Sequence, residues 1–251
     1  MRYVIFSRKW DSVTWESDLA DTLLGLLADD YFRVEVSGTE HIPRTGPALL
    51  AANHSGAWGL DGFVLHKVLL RQLGRPVRVY ASELVLRTPV LAAYARDHGV
   101  VTDDPTLGRD LLAAGELVAL FPEGFAGVGK DFSQRYRLRP FGPGFATTAV
   151  LTGAPVVPVS IVGAEETYPK LGEIGALARR FGLPYFPVTT PVPLPAKWYI
   201  SVGEPIHAPA AARTASFAER SAATRRLCDE VWFTVQGMVD RDRERRTTPF
   251  W

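Results

Sequence analysis

Short apolar runs alternate with helix-like stretches along most of this chain, and that alternation narrows the fold more than any other feature. Ala48–Ala52, Val77–Ala81, Leu117–Phe121, Val156–Val162 and Trp198–Val202 have strand length, and Phe32–Val36 alternates as a strand. Ser17–Ala28, Asp61–Leu73, Pro89–Asp97, Pro105–Ala114 and Gly144–Thr152 read as helices. Leu19, Leu23, Leu24 and Leu27 are expected on one face of the first of these. Thr214–Asp240 reads as a long helix, broken near Gly237. Strands that take turns with helices predict an α/β fold: a single domain with a mixed, largely parallel central sheet flanked by helices. A chain of 251 residues is long enough to bury one large core. The expected organisation is an N-terminal helical segment over 1–30, an α/β core over 31–210, and a C-terminal helix packing on the core over 211–251. Pro184–Pro195 holds five prolines in twelve residues and reads as an extended surface loop. Residues 241–246 read as a solvated helix end or frayed tail.

Composition removes several function classes. Lys plus Arg number 28 against 27 Asp plus Glu, a net charge of +1, so no nucleic-acid partner is expected. The single cysteine, Cys228, rules out an internal disulfide framework and a multi-cysteine metal cluster, and reads as a small core residue. His41, His66, His98 and His207 lack metal-site spacing, and no metal is expected. No apolar run is long enough to span a bilayer, and the N-terminus does not read as a signal peptide.

Two segments could carry chemistry. In Asn53-His54-Ser55-Gly56-Ala57-Trp58-Gly59-Leu60-Asp61, a polar pair ends an apolar strand, a Gly-rich turn follows, and a carboxylate opens a helix. Strand ends are where α/β folds place their sites. A His held by an Asp makes a general base, because the Asp selects the ring tautomer and stabilises the imidazolium. On spacing alone, the two residues could equally cap a strand and a helix without meeting. Phe121-Pro122-Glu123-Gly124 ends another strand, and Gly127, Gly129, Lys130, Arg135, Arg137 and Arg139 follow. Cations beside a Gly-rich loop suit an anion pocket, or else form a solvated charged loop.

Asn53-His54 with Asp61, then Phe121-Pro-Glu-Gly124, then Ala154-Pro-Val-Val-Pro-Val159 resemble the glycerophospholipid acyltransferases in order and separation. These are the lysophosphatidate and lysophospholipid acyltransferases, with a bacterial branch near the monoacylglycerol acyltransferases. The likeness covers about 34–206. It implies an O-acyltransferase that moves a fatty acyl group from an acyl thioester, on coenzyme A or an acyl-carrier protein, to a hydroxyl of a lysophospholipid or related glycerolipid. His54 would be the general base and Asp61 its partner. Glu123 and Gly124 would bind the acceptor, with Lys130, Arg135 or Arg137 meeting any phosphate. Val157 and Pro158 would help form the acyl-donor site. The thioester is a co-substrate, and no further cofactor is implied.

The chain departs from the family pattern in three places. Six residues separate His54 from Asp61 where four are usual. Gly99-Val-Val-Thr-Asp103-Asp104 offers carboxylates where many members carry a phosphate-binding Arg. The loop before the last strand is compressed to Thr189–Pro195. Alternatives are an acceptor that is non-phosphorylated or soluble, a metal-dependent hydrolase using His54, Asp61 and Glu123, and an inactive lipid-binding relative. The expected location is cytoplasmic, peripheral at the inner face of the cell membrane. Tyr3, Phe6, Trp10 and Trp15 among Arg2, Arg8 and Lys9 would touch the lipid, together with Tyr185 and Phe186.

Overall fold

The computed structural model describes residues 15–81, 94–95, 97–102, 104–183 and 185–250. The aromatic and basic residues expected at the N-terminus from Tyr3 to Trp10, and most of the helix expected over Pro89–Asp97, lie outside them. The strands are β1 (Glu35–Ser37), β2 (Ala48–Ala52), β3 (Val77–Ala81), β4 (Val101–Thr102), β5 (Leu117–Leu120), β6 (Val156–Val162), β7 (Gly172–Glu173), β8 (Pro187–Val188) and β9 (Tyr199–Val202). Seven form one sheet in the order β1-β9-β6-β2-β5-β3-β4. Every neighbouring pair is parallel except β6 with β9. The sheet is therefore mixed and largely parallel, as the alternation predicts. β7 and β8 form a separate antiparallel pair. Pro187 on β8 belongs to this short two-stranded edge, where a missing amide is tolerated, so the proline-rich stretch is not loop throughout.

The described helices are α1 (Trp15–Leu26), α2 (Leu60–Leu73), α3 (Pro105–Ala113), α4 (Phe125–Val128), α5 (Gly144–Thr152), α6 (Ala164–Thr167), α7 (Gly175–Phe181) and α8 (Phe217–Arg245). Alternate residues of β2 enter opposite cores. Ala48, Leu50 and Ala52 pack with Val64, Leu65, Val68 and Leu69 of α2. Leu49 and Ala51 pack with Phe145, Ala149 and Val150 of α5 and with Leu227, Val231 and Val235 of α8. All seven residues of β6 are buried. Each large aliphatic side chain buried this way contributes roughly 1.5–3 kcal/mol, so the strand that carries the first motif is clamped from both sides.

Several details differ from the sequence reading, beginning with the first strand, which forms at Glu35–Ser37 rather than over Phe32–Val36 because Phe32 is buried against Trp198 after the turn that ends the first helix. On α1, Ala20 and Leu24 are buried against Phe63 and Tyr94, while Leu19 and Leu23 face outward. Positions 20 and 24 share a helix stripe that 19 and 23 do not. α8 starts at Phe217, three residues later than expected, behind a capping box between Ser216 and Glu219. It runs unbroken through Gly237, because Val235, Met238 and Val239 are buried on either side. Its last turns form the solvated helix end that is one of the two readings of this segment, with Arg241, Arg243, Glu244 and Arg245 exposed. Asp242 is buried and accepts hydrogen bonds from the hydroxyls of Ser160 on β6 and Ser201 on β9, the latter at 2.9 Å.

His66, on the same helix as Asp61, is fully buried with its Nδ1 2.8 Å from the Tyr94 hydroxyl. Burial, reinforced by the neighbouring His98, pushes its pKa down to about 4. The unfolded chain therefore binds a proton at His66 below about pH 6.5 that the folded chain refuses. The His66 contribution is complete above pH 6.5 and is lost as pH falls toward 4, by about 3 kcal/mol. Unfolding free energies across that window should fall less steeply for His66→Gln than for wild type; parallel slopes would show that His66 does not carry the effect.

Candidate active site

A parallel sheet brings the loops that follow its strands to one edge. β2 and β5 are neighbours, with Ala51 opposite Leu120, so the segments beginning at Asn53 and Phe121 emerge side by side. Asn53 fixes the first. Its side-chain amide donates to the Ile161 carbonyl at 2.9 Å and its oxygen accepts the Ile161 N–H at 2.7 Å. The β2–β6 ladder is thereby extended by a side chain beyond Ala52.

His54 comes next, and its Nδ1 lies 2.8 Å from Asp61 Oδ2. The six intervening residues close because Gly56 and Gly59 take φ values of +84° and +67°, in the left-handed region that L side chains rarely adopt. Asp61 has no solvent exposure. Its Oδ2 also accepts the Ser55 N–H at 2.7 Å, and its Oδ1 accepts the Gly62 N–H at 2.9 Å. The carboxylate can only accept, so it selects the tautomer with the proton on Nδ1 and leaves Nε2 with a lone pair. The Phe121 ring stacks on the imidazole at 4.3 Å.

Glu123 braces this arrangement from the turn that follows β5. Its carboxylate accepts the His54 N–H at 2.9 Å and the Arg139 N–H at 2.6 Å. Gly127 completes the contact: a Cβ there would lie 2.7 Å from Glu123 Cβ and 2.9 Å from the His54 carbonyl oxygen. Lys130 is buried with its Nζ 2.8 Å from Glu165 and 3.5 Å from Glu123. Burial raises the Glu165 pKa, and the Lys130 charge opposes that rise.

The imidazole borders a cleft of about 590 Å³ whose walls include Phe63, Val79, Phe145 and Tyr185. Among the described residues that line it, none is Lys, Arg or Asp. The Tyr185 hydroxyl donates to the Ala57 carbonyl at 3.3 Å. Burial pushes that phenol's pKa up, and the Asp61 charge adds to the rise. Trp58 and Phe125 also line the cleft and are each about half exposed.

The structure thus brings His54, Asp61, Glu123 and Gly124 together at one cleft. It does not bring the other expected residues there. Lys130 sits beneath the loop, bound to carboxylates. Arg135 and Arg137 line a different hollow. Val157 is packed in the α2-side core. Pro158 is buried in β6, its carbonyl accepting the Gly203 N–H at 2.8 Å. Its ring nitrogen, which has no proton, coincides with the end of the β6–β9 ladder at Val159 and Val202. Both residues of the Val-Pro block therefore build the sheet rather than line the cleft. Of the two residues expected at a membrane, Tyr185 turns into the cleft and Phe186 lies edge-on against Trp58 at its border. No group of three or more metal-ligating side chains occurs among the described residues.

The acyltransferase family model matches residues 33–162, more than half of the chain. The chain belongs to the acyltransferase family. That match takes in His54, Asp61, Glu123 and Gly124, and the family is the one that the three sequence blocks resemble. The chain is 44% identical over 243 residues to an uncharacterized protein of Mycobacterium tuberculosis, covering 90% of this chain and 66% of that protein. It thus spans just under two thirds of that relative's length. A bovine protein named as a DGAT1/2-independent enzyme synthesizing storage lipids is 27% identical over 179 residues, covering 68% of this chain and 52% of that one. The fold matches the crystal structure of a 1-acyl-sn-glycerophosphate acyltransferase, PlsC, from Thermotoga maritima. The TM-score is 0.59 at 22% identity, over 93% of this chain and 80% of that one.

Asn53 and Gly127, which the sequence reading names without giving either a role of its own, shape this acyltransferase-family site. Asn53 carried a signal, a polar side chain at the end of a fully apolar strand. Gly127 carried none beyond being a loop glycine. Asn53→Ala should leave the buried Ile161 N–H and carbonyl without partners, at a cost of about 2–4 kcal/mol. Urea unfolding measures this; a loss under about 0.5 kcal/mol would mean that the bridge does not anchor the loop.

Proposed function

We propose that this chain transfers an acyl group from a thioester, on coenzyme A or a carrier protein, to a hydroxyl of a glycerolipid acceptor. The observation that carries this reading is the 2.8 Å contact between His54 and Asp61 at the border of an apolar cleft. His54 Nε2 takes the acceptor's proton as its oxygen attacks the thioester carbonyl. The tetrahedral oxyanion collapses, the C–S bond breaks, and Nε2–H returns the proton to the leaving thiolate. The products are an ester and a free thiol. Asp61 stabilises the imidazolium between the two proton transfers. Ser55 is not the nucleophile in this scheme, since the attacking oxygen belongs to the acceptor. The walls of the 590 Å³ cleft suit an acyl chain.

Glu123 serves here as a positioning residue, because its oxygens are engaged by backbone N–H groups. A second reading of the acceptor is favoured by the lack of Lys and Arg among the described lining residues: its reacting end carries no phosphate. The storage-lipid name of the bovine relative supports the same choice. No described helix is long and apolar enough to cross a membrane. The proposed placement is at the inner face of the cell membrane, with Trp58 and Phe125 at the lipid-facing mouth of the cleft.

Mass spectrometry of lipid products tests the scheme with purified protein and acyl-coenzyme A. Wild type should acylate monoacylglycerol or diacylglycerol faster than lysophosphatidate, and His54→Ala should lower the rate by about 10²–10⁴-fold at an unchanged melting temperature. A His54→Ala variant with more than about a tenth of wild-type turnover would exclude His54 as the base.

A further inference from the structure

Arg135 and Arg137, which the sequence suggested for the acceptor pocket, meet Arg243 and Arg246 from the C-terminal end of the chain. The four line a hollow of about 330 Å³ floored by Tyr136. It shares no lining residue with the acyl cleft. Among the described residues, Glu166 is the one carboxylate that lines it. Glu166 is already engaged, accepting from the Tyr136 hydroxyl and lying 3.3 Å from Arg246 Nη1. Arg246 also donates to the Tyr136 hydroxyl and to the Pro249 carbonyl, each at 2.7 Å, and its side chain is only 5% exposed. It forms a fixed cationic floor rather than a mobile surface charge.

The other three arginines are poorly neutralised. Arg135 Nε lies 4.0 Å from Glu166 and its guanidinium covers the Phe132 ring. Among the described residues, the side chains of Arg137 and Arg243 have no hydrogen bond or ion pair. Four guanidinium groups facing one carboxylate repel one another, and an anion between them would remove that repulsion. Tyr136 has φ +65°, one of two non-glycine residues in the left-handed region among those described. Such backbone persists where surrounding structure fixes it and is concentrated at ligand sites. Here the Gln236 amide holds the Tyr136 carbonyl at 2.9 Å, and the turn sets both flanking arginines around one hollow.

We propose that this hollow is a binding site for a phosphate-bearing anion, separate from the acyl cleft. Planar guanidinium forks match paired phosphate oxygens, and the volume exceeds that of a single orthophosphate. The group arrives either on a soluble phosphate ester or on a lipid headgroup. The site does not depend on the acyl-transfer reading.

Calorimetric titration with inorganic pyrophosphate at low salt, and flotation with phosphatidylcholine vesicles with and without phosphatidate, test the site. Wild type and His54→Ala should behave alike. Arg137→Ala/Arg243→Ala should bind at least about tenfold more weakly at an unchanged melting temperature, because neither side chain has a partner to lose. Should the double variant unfold, Arg243→Gln is read the same way. Saturable pyrophosphate binding assigns a soluble ester; flotation that requires phosphatidate, without pyrophosphate binding, assigns a headgroup. Wild type that binds neither, or arginine variants that bind as wild type does, would overturn the proposal.

Discussion

A carboxylate without solvent contact is tolerable only among hydrogen-bond donors, and the local structure of this chain is organised around supplying them to Asp61. Leaving it unpaired would cost several kcal/mol. The donors are the His54 ring and the N–H groups of Ser55 and Gly62, so the loop from Asn53 to Gly59 must curl back onto its own helix. That demand explains the two left-handed glycines. It also explains why the loop is tied at its start to β6 through Asn53 and at its back to the turn after β5 through Glu123. The imidazole is held by ties on several sides rather than by one pair.

The surroundings of that imidazole are mostly carbon. Phe121 covers one ring face, and Phe63, Val79 and Phe145 extend the apolar surface away from it. Water is the competitor that weakens electrostatic pairs, and a carbon-walled cleft limits it. The same walls suit a long acyl chain. On the proposed function, a base at the border of a mostly apolar cleft suits the acylation of a lipid hydroxyl, where most of the substrate needs burial and one proton needs moving.

Much of this was legible in the sequence. β3, β6, α5 and the run ending at Ala52 have the expected boundaries because their apolar runs are bounded by Gly, Pro or polar residues. The meeting of His54 and Asp61 was readable only as one of two outcomes, since spacing does not say whether a glycine turn closes. Local pattern failed where tertiary contacts decided. Gly237 looked like a break, yet burial of its neighbours carries α8 through it. The arginines after Gly129 looked like an acceptor pocket. The turn at Tyr136 and the folding back of Arg246 draw two of them to another hollow, and neither event has a sequence signal. The Val-Pro block looked like a donor site, but Pro158 marks where a strand ladder stops.

On the proposed mechanism, His54 and Asp61 act as one unit, with Asp61 working through the ring it holds. The most direct measurement is kcat/KM for acyl transfer in a cycle of wild type, His54→Ala, Asp61→Asn and the double variant. Once the imidazole is gone, the carboxylate has nothing to orient. Adding Asp61→Asn to His54→Ala should therefore cost less than about threefold, although Asp61→Asn alone lowers the rate by about a hundredfold or more. Losses that multiply through the cycle would contradict a shared step and return Asp61 to a purely structural role.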